Sequence, residues 1–161
     1  MYQYFPHKQA LFYAVNERYL DVLAEKVEAY CRAHQGASIE RMIEGLVTTY
    51  WSVKAERPEV TRALYRSVAE LDNEQLIEAF ARRTDAATAA MLGSASDADF
   101  ADLPIVNLTL LATVFGTVRN VFERDLSASE IGAMLRQLTL MCVAYLDAVK
   151  MPSRSTMPHQ A

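Results

Sequence analysis

The sequence predicts an all-α fold. Three observations carry that expectation. Glycine and proline are scarce, 5 of each in 161 residues, whereas a sandwich or barrel needs many special backbone positions at its turns. Apolar residues recur at steps of three and four in six separate stretches. Each stretch is bounded by a breaker or a polar cap. With 52% apolar and 22% charged residues, the chain has the composition of one folded globular domain rather than a disordered one. Two cysteines exclude a disulfide scaffold.

The first helix is expected from about Pro6 to His34. Its apolar set is Leu11, Val15, Tyr19, Val22, Leu23, Val27 and Tyr30. Gly36 follows, where a left-handed cap is wanted, and Ser38 caps the next helix. That second helix has the cleanest stripe in the chain: Ile39, Met42, Ile43, Leu46, Val47, Tyr50 and Trp51. It should end near Arg57, because Pro58 disfavours helix at the residue before it and suits a first helical position. The short helix from Pro58 is expected to bury Val60, Ala63, Leu64, Ser67, Val68 and Leu71. Asp72 with Gln75 reads as a capping pair for a fourth helix, burying Leu76, Ile77, Phe80, Thr84, Ala87 and Met91 and stopping at Gly93.

Residues 93–103 are small and acidic, which predicts a mobile or variable loop. A long helix from Pro104 to Arg124 is apolar almost all round, which requires burial on two sides. Ser127 and Glu130 form a capping box for the last helix. That helix repeats Ile131, Met134, Leu135, Leu138, Met141, Cys142, Tyr145, Leu146 and Val149. The tail from Met151 to Ala161 has no periodicity and is expected to be disordered.

The last two helices should form a long antiparallel pair joined by a short turn. A helix of that length and apolarity is not covered by so small a chain. The expectation is a homodimer in which the pair from each subunit builds an intersubunit four-helix bundle. Thr113, Gly116 and Thr117 are small enough for close approach, and Leu138 and Tyr145 complete the expected interface.

Chemistry is sparse in the sequence. Neither paired-histidine nor Cys-x-x-Cys spacing occurs, so no metal site and no cofactor are expected. His7, His34 and His159 lie at helix or chain ends. Gly-x-Ser-x-Gly, Ser-x-x-Lys and Gly-rich phosphate loops are absent, and carboxylate pairs such as Glu40 and Glu44 sit on a solvated helix face. The chain is therefore read as a non-enzyme. Cys31 and Cys142 are read as reduced core thiols. The apolar run from Leu103 to Val118 is interrupted by Pro104, Asn107 and three threonines, which reads as too short and too polar to span a membrane. With no basic, apolar leader at Met1, a cytoplasmic protein is expected. A net charge of −4 argues against whole-surface nucleic-acid binding.

A ligand pocket is easier to support. Large aromatics beside polar groups converge on the middle helices. The candidate lining is Leu46, Tyr50, Arg62, Tyr65, Phe80, Asn107 and Leu111. A buried Asn107 in an apolar helix must find partners, and a ligand can supply them.

The first residues carry the most specific signal. Tyr2-Gln3-Tyr4-Phe5-Pro6-His7-Lys8-Gln9-Ala10-Leu11 resembles the end of the DNA-binding domain of the TetR (AcrR-type) family of transcriptional regulators. Tyr2, Tyr4, Phe5, Lys8 and Leu11 match that pattern in type and spacing. The later helices resemble the family's C-terminal domain in number, order and the closing long pair.

The resemblance implies a TetR C-terminal-like bundle: residues 1–7 a remnant of the helix-turn-helix, 8–150 a ligand-binding and dimerisation domain, and 151–161 a tail. It implies that Tyr2, Tyr4 and Lys8 touch DNA phosphates, which position a protein without reading bases. Phe5 would be a packing residue and Leu11 the first core residue of the linking helix. Most of the DNA-binding domain precedes Met1 in the family pattern, so this chain is expected to bind operator DNA only if the full helix-turn-helix is present. The implied function is a transcriptional regulator, a repressor by expectation, that dimerises and takes a small apolar effector. The other reading is a stand-alone helical dimer acting as a protein-interaction or ligand-sequestering module.

Overall fold

A computed structural model describes residues 5–67 and 73–152. It contains six α-helices: α1 (Phe5–Ala33), α2 (Ile39–Glu56), α3 (Pro58–Ser67), α4 (Glu74–Gly93), α5 (Leu103–Glu123) and α6 (Ala128–Val149). No strand occurs among the described residues; one isolated bridge joins Phe100 to Lys150. The fold is all-α, as the sequence predicts.

Local chemistry sets most boundaries. Gly36 takes φ of 77°, a left-handed conformation suited to a residue without a Cβ, directly after α1. Ser38 Oγ accepts from the Arg41 N–H and caps α2. Pro58 opens α3. The capping box of α6 is complete: Ser127 Oγ accepts from Glu130 N–H, and the Glu130 carboxylate accepts from Ser127 N–H at 2.8 Å. The Ser127 N–H, and after it the Ser127 hydroxyl donating at 2.9 Å, hold the Glu130 carboxyl below its ordinary range. The N-cap of α4 is Asn73 and that of α5 is Asp102. Asp72, Val68 and Leu71 lie outside the described residues, as do Tyr2 and Tyr4 and the tail from residue 153.

α2 is the central helix. Its stripe Ile39, Met42, Ile43, Leu46, Val47 and Tyr50 is buried, as expected, and meets α1, α3, α4 and α6. From α1 the core takes Leu23, Val27 and Cys31. Met91 and Leu92 come from α4, Val106, Leu110, Val114 and Val118 from α5, and Leu138, Cys142 and Leu146 from α6. Both cysteines are buried free thiols, and burial pushes Cys31 up to about 12 and Cys142 up to about 11. α1 packs along α4, where Arg83 holds both Glu28 carboxylate oxygens, at 2.9 and 2.8 Å, and Asp21 at 3.2 Å.

Gly45 has a specific packing role. A Cβ at this position would fall on the ring and hydroxyl of Tyr30. That ring stacks on His34 with centroids 4.0 Å apart, and its hydroxyl donates to the Arg41 carbonyl at 2.7 Å. Glycine in a helix interior costs roughly 0.5–1 kcal/mol against alanine, so close approach outweighs propensity here. Gly45→Ala should destabilise the domain by about 1–3 kcal/mol, read as a lower midpoint in urea unfolding. An unchanged or raised midpoint would mean that Tyr30 moves aside freely.

Several expectations are corrected. Leu11 and Val15 are exposed rather than core, and Val15 lies on the wall of an open hollow between α1 and the α2–α3 junction. Lys8 is exposed on the same helix, which runs unbroken from Phe5. Ala63 faces solvent, and Ile77 is 41% exposed. The segment 93–103 is not a free loop. Ser96 N–H donates to the Ala37 carbonyl, Gly36 N–H to Ser94 Oγ, Ile39 N–H to Asp97 Oδ1, and Met151 N–H to the Asp99 carbonyl, all at 2.8–3.0 Å. These bonds fasten it to the α1–α2 turn and to the residues that follow α6. Finally, α5 and α6 are each long and apolar enough by length and composition to cross a membrane, although α5 carries a row of buried side chains within the bundle.

Candidate functional site

A cavity of about 340 Å³ lies among α1–α5, within the usual size range of small-molecule sites. Its apolar walls are Leu20, Leu64, Ile77, Phe80 and Phe115, with Ala81 and Gly116 beside them. Phe115 stacks on Tyr50 at 4.5 Å between centroids and meets Phe80 at 5.7 Å. The polar lining is Tyr50, Lys54, Tyr65, Asn73 and Arg119.

Lys54 is the unusual member. It sits in the last turn of α2, where a cation suits the helix dipole, yet it is only 3% exposed. Its Nζ lies 4.5 Å from the Tyr65 ring centroid, 5.1 Å from Tyr50 and 5.7 Å from Tyr19. Three ring faces give the ammonium partial electrostatic compensation. Among the described residues it has no carboxylate partner. Burial, and secondarily the Arg119 charge, lower it to about 7. Burial in turn pushes Tyr50, Tyr65 and Tyr19 above the ordinary phenol range, so all three are neutral hydroxyls at neutral pH.

Other polar atoms face the same space without partners. Tyr65 Oη and both amide atoms of Asn73 are buried and form no hydrogen bond among the described residues. Buried polar groups are ordinarily satisfied, so such a cluster calls for an explanation. Arg119 lies over the Tyr65 ring at 5.3 Å and pairs with Glu123 at 2.8 Å on the outer side.

The cavity is wired to α1. Thr61 Oγ1 donates its one proton to the Lys54 carbonyl at 2.8 Å, so Tyr19 Oη is the donor in its 2.8 Å bond to Thr61. Asn16 Nδ2 donates to Ser67 Oγ at 3.2 Å, and Ser67 Oγ to the Leu64 carbonyl at 2.9 Å. Two residues of α1 are thereby tied to α3 at positions next to the cavity wall.

Of the predicted lining, Tyr50, Tyr65 and Phe80 come together here. Leu46 and Leu111 do not reach the wall; they are packed in the core. Arg62 is exposed and lines a neighbouring hollow with Tyr65, Phe122 and Asp125. Asn107 is buried away from the cavity, where its Nδ2 donates to the Asp85 carbonyl at 3.1 Å and ties α5 to α4. Lys54, Asn73, Phe115 and Arg119 were not anticipated. Position 54 does continue the stripe 39, 43, 47, 50, and a lysine on a buried stripe is the signal that could have flagged it.

A wider hollow of about 470 Å³ between α1 and the α2–α3 junction is lined by Val15, Val22, Val53 and Val60. Its charged groups, Arg18, Glu56 and Arg57, are exposed. Solvent already satisfies them, so the hollow lacks the unpartnered buried groups of the Lys54 cavity. Among the described residues no group of histidine, cysteine and carboxylate side chains could hold a metal ion.

Of the expected interface residues, Leu138 is committed to the core and Gly116 lies on the cavity wall. Thr113, Thr117 and Tyr145 are half-buried. The apolar side chains left outside on the closing pair are instead Ile105 and Leu108 of α5 and Leu140 and Met141 of α6, each more than half exposed.

Residues 38–146, well over half of the chain, match the family described as tetracyclin repressor-like, C-terminal domain. No curated protein and no solved structure matches the chain significantly.

Proposed function

Because the chain belongs to the tetracycline repressor-like C-terminal domain family, we propose that it is the effector-binding and dimerising part of a transcriptional regulator. The effector occupies the cavity around Tyr50, Tyr65 and Phe80. The observation that carries this reading is a largely apolar cavity with unpartnered buried polar groups, joined by hydrogen bonds to α1.

In the regulator, α1 is the helix that leads toward the DNA-binding head. An effector that spreads α3 from α2 pulls on Tyr19 and Asn16, so it binds one orientation of α1 better than another. That difference in affinity is what an allosteric switch requires. Operator contact through Tyr2, Tyr4 and Lys8 applies only where a complete helix-turn-helix is present. The protein is cytoplasmic and has no catalytic role in this scheme.

Dimerisation is supported by α6, which is long and apolar while only Leu138, Cys142 and Leu146 on it are buried. The exposed Ile105, Leu108, Leu140 and Met141 are the proposed contact, on a bundle whose partner pair is related by a two-fold axis. Thr113, Thr117 and Tyr145 remain proposed members at its edge.

Gly116→Leu tests the cavity. A Cβ at Gly116 meets nothing within 4 Å, and leucine is the better helix former, so the fold should be kept while the side chain fills the cavity. The expected result is an unchanged or slightly higher melting temperature and loss of ligand-induced stabilisation by small aromatic compounds. Ligand stabilisation equal to that of the unsubstituted protein would place the effector elsewhere.

A further inference from the structure

Resting on the effector-cavity reading, we propose that the cavity selects an organic anion: a small molecule with an apolar, aromatic-sized body and one carboxylate, whose charge is met by Lys54. The carboxylate is an acceptor-only group with two oxygens. The cavity offers the complementary donors at one place: the ammonium of Lys54, a residue 3% exposed and without a carboxylate partner among the described residues, and the buried Asn73 amide and Tyr65 hydroxyl, which form no hydrogen bond among the described residues. Arg119 adds a second positive charge at the wall, and no acidic side chain lines the cavity among the described residues.

A neutral apolar ligand would leave the buried ammonium unpaired, which is the costly arrangement. A cationic ligand would face two like charges. An anion offsets the cost of burying Lys54 and makes charge-assisted hydrogen bonds to donors at the foot of a half-open cavity. The volume, about 340 Å³, is roughly that of ten waters and suits one ring with a short chain. The apolar body would lie against Phe80, Phe115 and Leu64, while the carboxylate end would meet Lys54. An anion seated there touches the helix whose Lys54 carbonyl is bonded to Thr61 and so to Tyr19. The ligand's charge is thereby placed at the point where the cavity meets α1.

The test compares 3-phenylpropanoate, 3-phenylpropanamide and 3-phenylpropylamine by calorimetric titration of the full chain at pH 6.5, with Lys54→Met and Lys54→Arg. The acid is expected to bind at least tenfold more tightly than the amide, and the amine more weakly still. Lys54→Met should weaken the acid at least tenfold and the amide less than threefold, and Lys54→Arg should restore part of the preference. The acid's affinity should fall between pH 6 and 9 in the unsubstituted protein as Lys54 loses its proton, and stay flat in Lys54→Met. Of the groups facing Lys54, Tyr19, Tyr50 and Tyr65 are pushed up by burial and remain neutral in that range, and Arg119 is paired with Glu123 at 2.8 Å. Acid and amide binding equally, or the amine binding best, overturns the anion proposal while leaving the effector cavity in place. No binding by any of the three overturns both. Circular dichroism melting of each variant separates lost selectivity from lost folding.

Discussion

Lys54→Met is expected to stabilise the ligand-free domain at pH 6–7 by an amount on the order of 2–4 kcal/mol, and to flatten its stability between pH 7 and pH 10. The lysine is 3% exposed and lowered to about 7 in the folded state, against an ordinary 10.4 in an unfolded chain. Below pH 7 both states carry the proton, and the folded state bears the full cost of burying the charge. Between pH 7 and the unfolded value the unfolded state binds more protons, so stability rises with pH. At about 1.4 kcal/mol per unit, the rise to pH 10 is of order 4 kcal/mol. Above pH 10 the slope reverses, because tyrosines pushed up by burial ionise more readily once unfolded. Urea unfolding at pH 6, 7, 8 and 9 measures this directly. The variant's advantage should be largest at pH 6 and shrink steadily toward pH 9. A variant less stable than the unsubstituted protein at pH 6 would show that the tyrosine faces more than compensate the buried charge.

Met141→Glu should abolish the proposed dimer and leave a folded monomer. Met141 is 61% exposed within one chain, as is its neighbour Leu140, so a glutamate there is solvated in the monomer and leaves the subunit core intact. In a two-fold interface the substitution enters twice, and both carboxylates are desolvated next to apolar side chains. The dissociation constant should rise at least ~100-fold, about 2.7 kcal/mol, while the far-ultraviolet spectrum stays unchanged. Leu108→Glu on α5 should act the same way, and Arg62→Glu on the exposed side of α3 should not. Sedimentation equilibrium reads all three. An unsubstituted protein that is monomeric at micromolar concentration, or a dimer indifferent to both substitutions, would remove α5 and α6 from the interface.

These two predictions centre on residues of different legibility. Met141 belongs to a repeat visible in the sequence, but its spacing says only that one side of α6 is apolar. That Leu138, Cys142 and Leu146 turn inward while Leu140 and Met141 stay outside depends on the face α6 presents to α2. Lys54 reads locally as an ordinary cation in the last turn of a helix. Its burial arises because α1, α3 and α5 bring Tyr19, Tyr65 and Arg119 over it from positions far away in sequence. Asn107 shows the converse. A polar residue in an apolar helix reads as a ligand contact, yet its Nδ2 donates to a carbonyl of the neighbouring helix and its Oδ1 is buried without a partner among the described residues. Residues 93–103 have a loop's composition, and only their bonds to Ala37, Ile39 and Met151 make them a fastening.

The sequence by itself determined the six helices and most of their ends. Caps, prolines, the left-handed Gly36 and the three-and-four periodicity act within one or two turns, so their physics is complete in a short stretch of chain. It also determined the family, through the pattern spread over residues 38–146. Only the tertiary structure decided which polar groups are buried without partners, and therefore where a ligand's charge belongs. Desolvation depends on everything packed around a group, and the helices that enclose Lys54 meet only when the whole bundle closes.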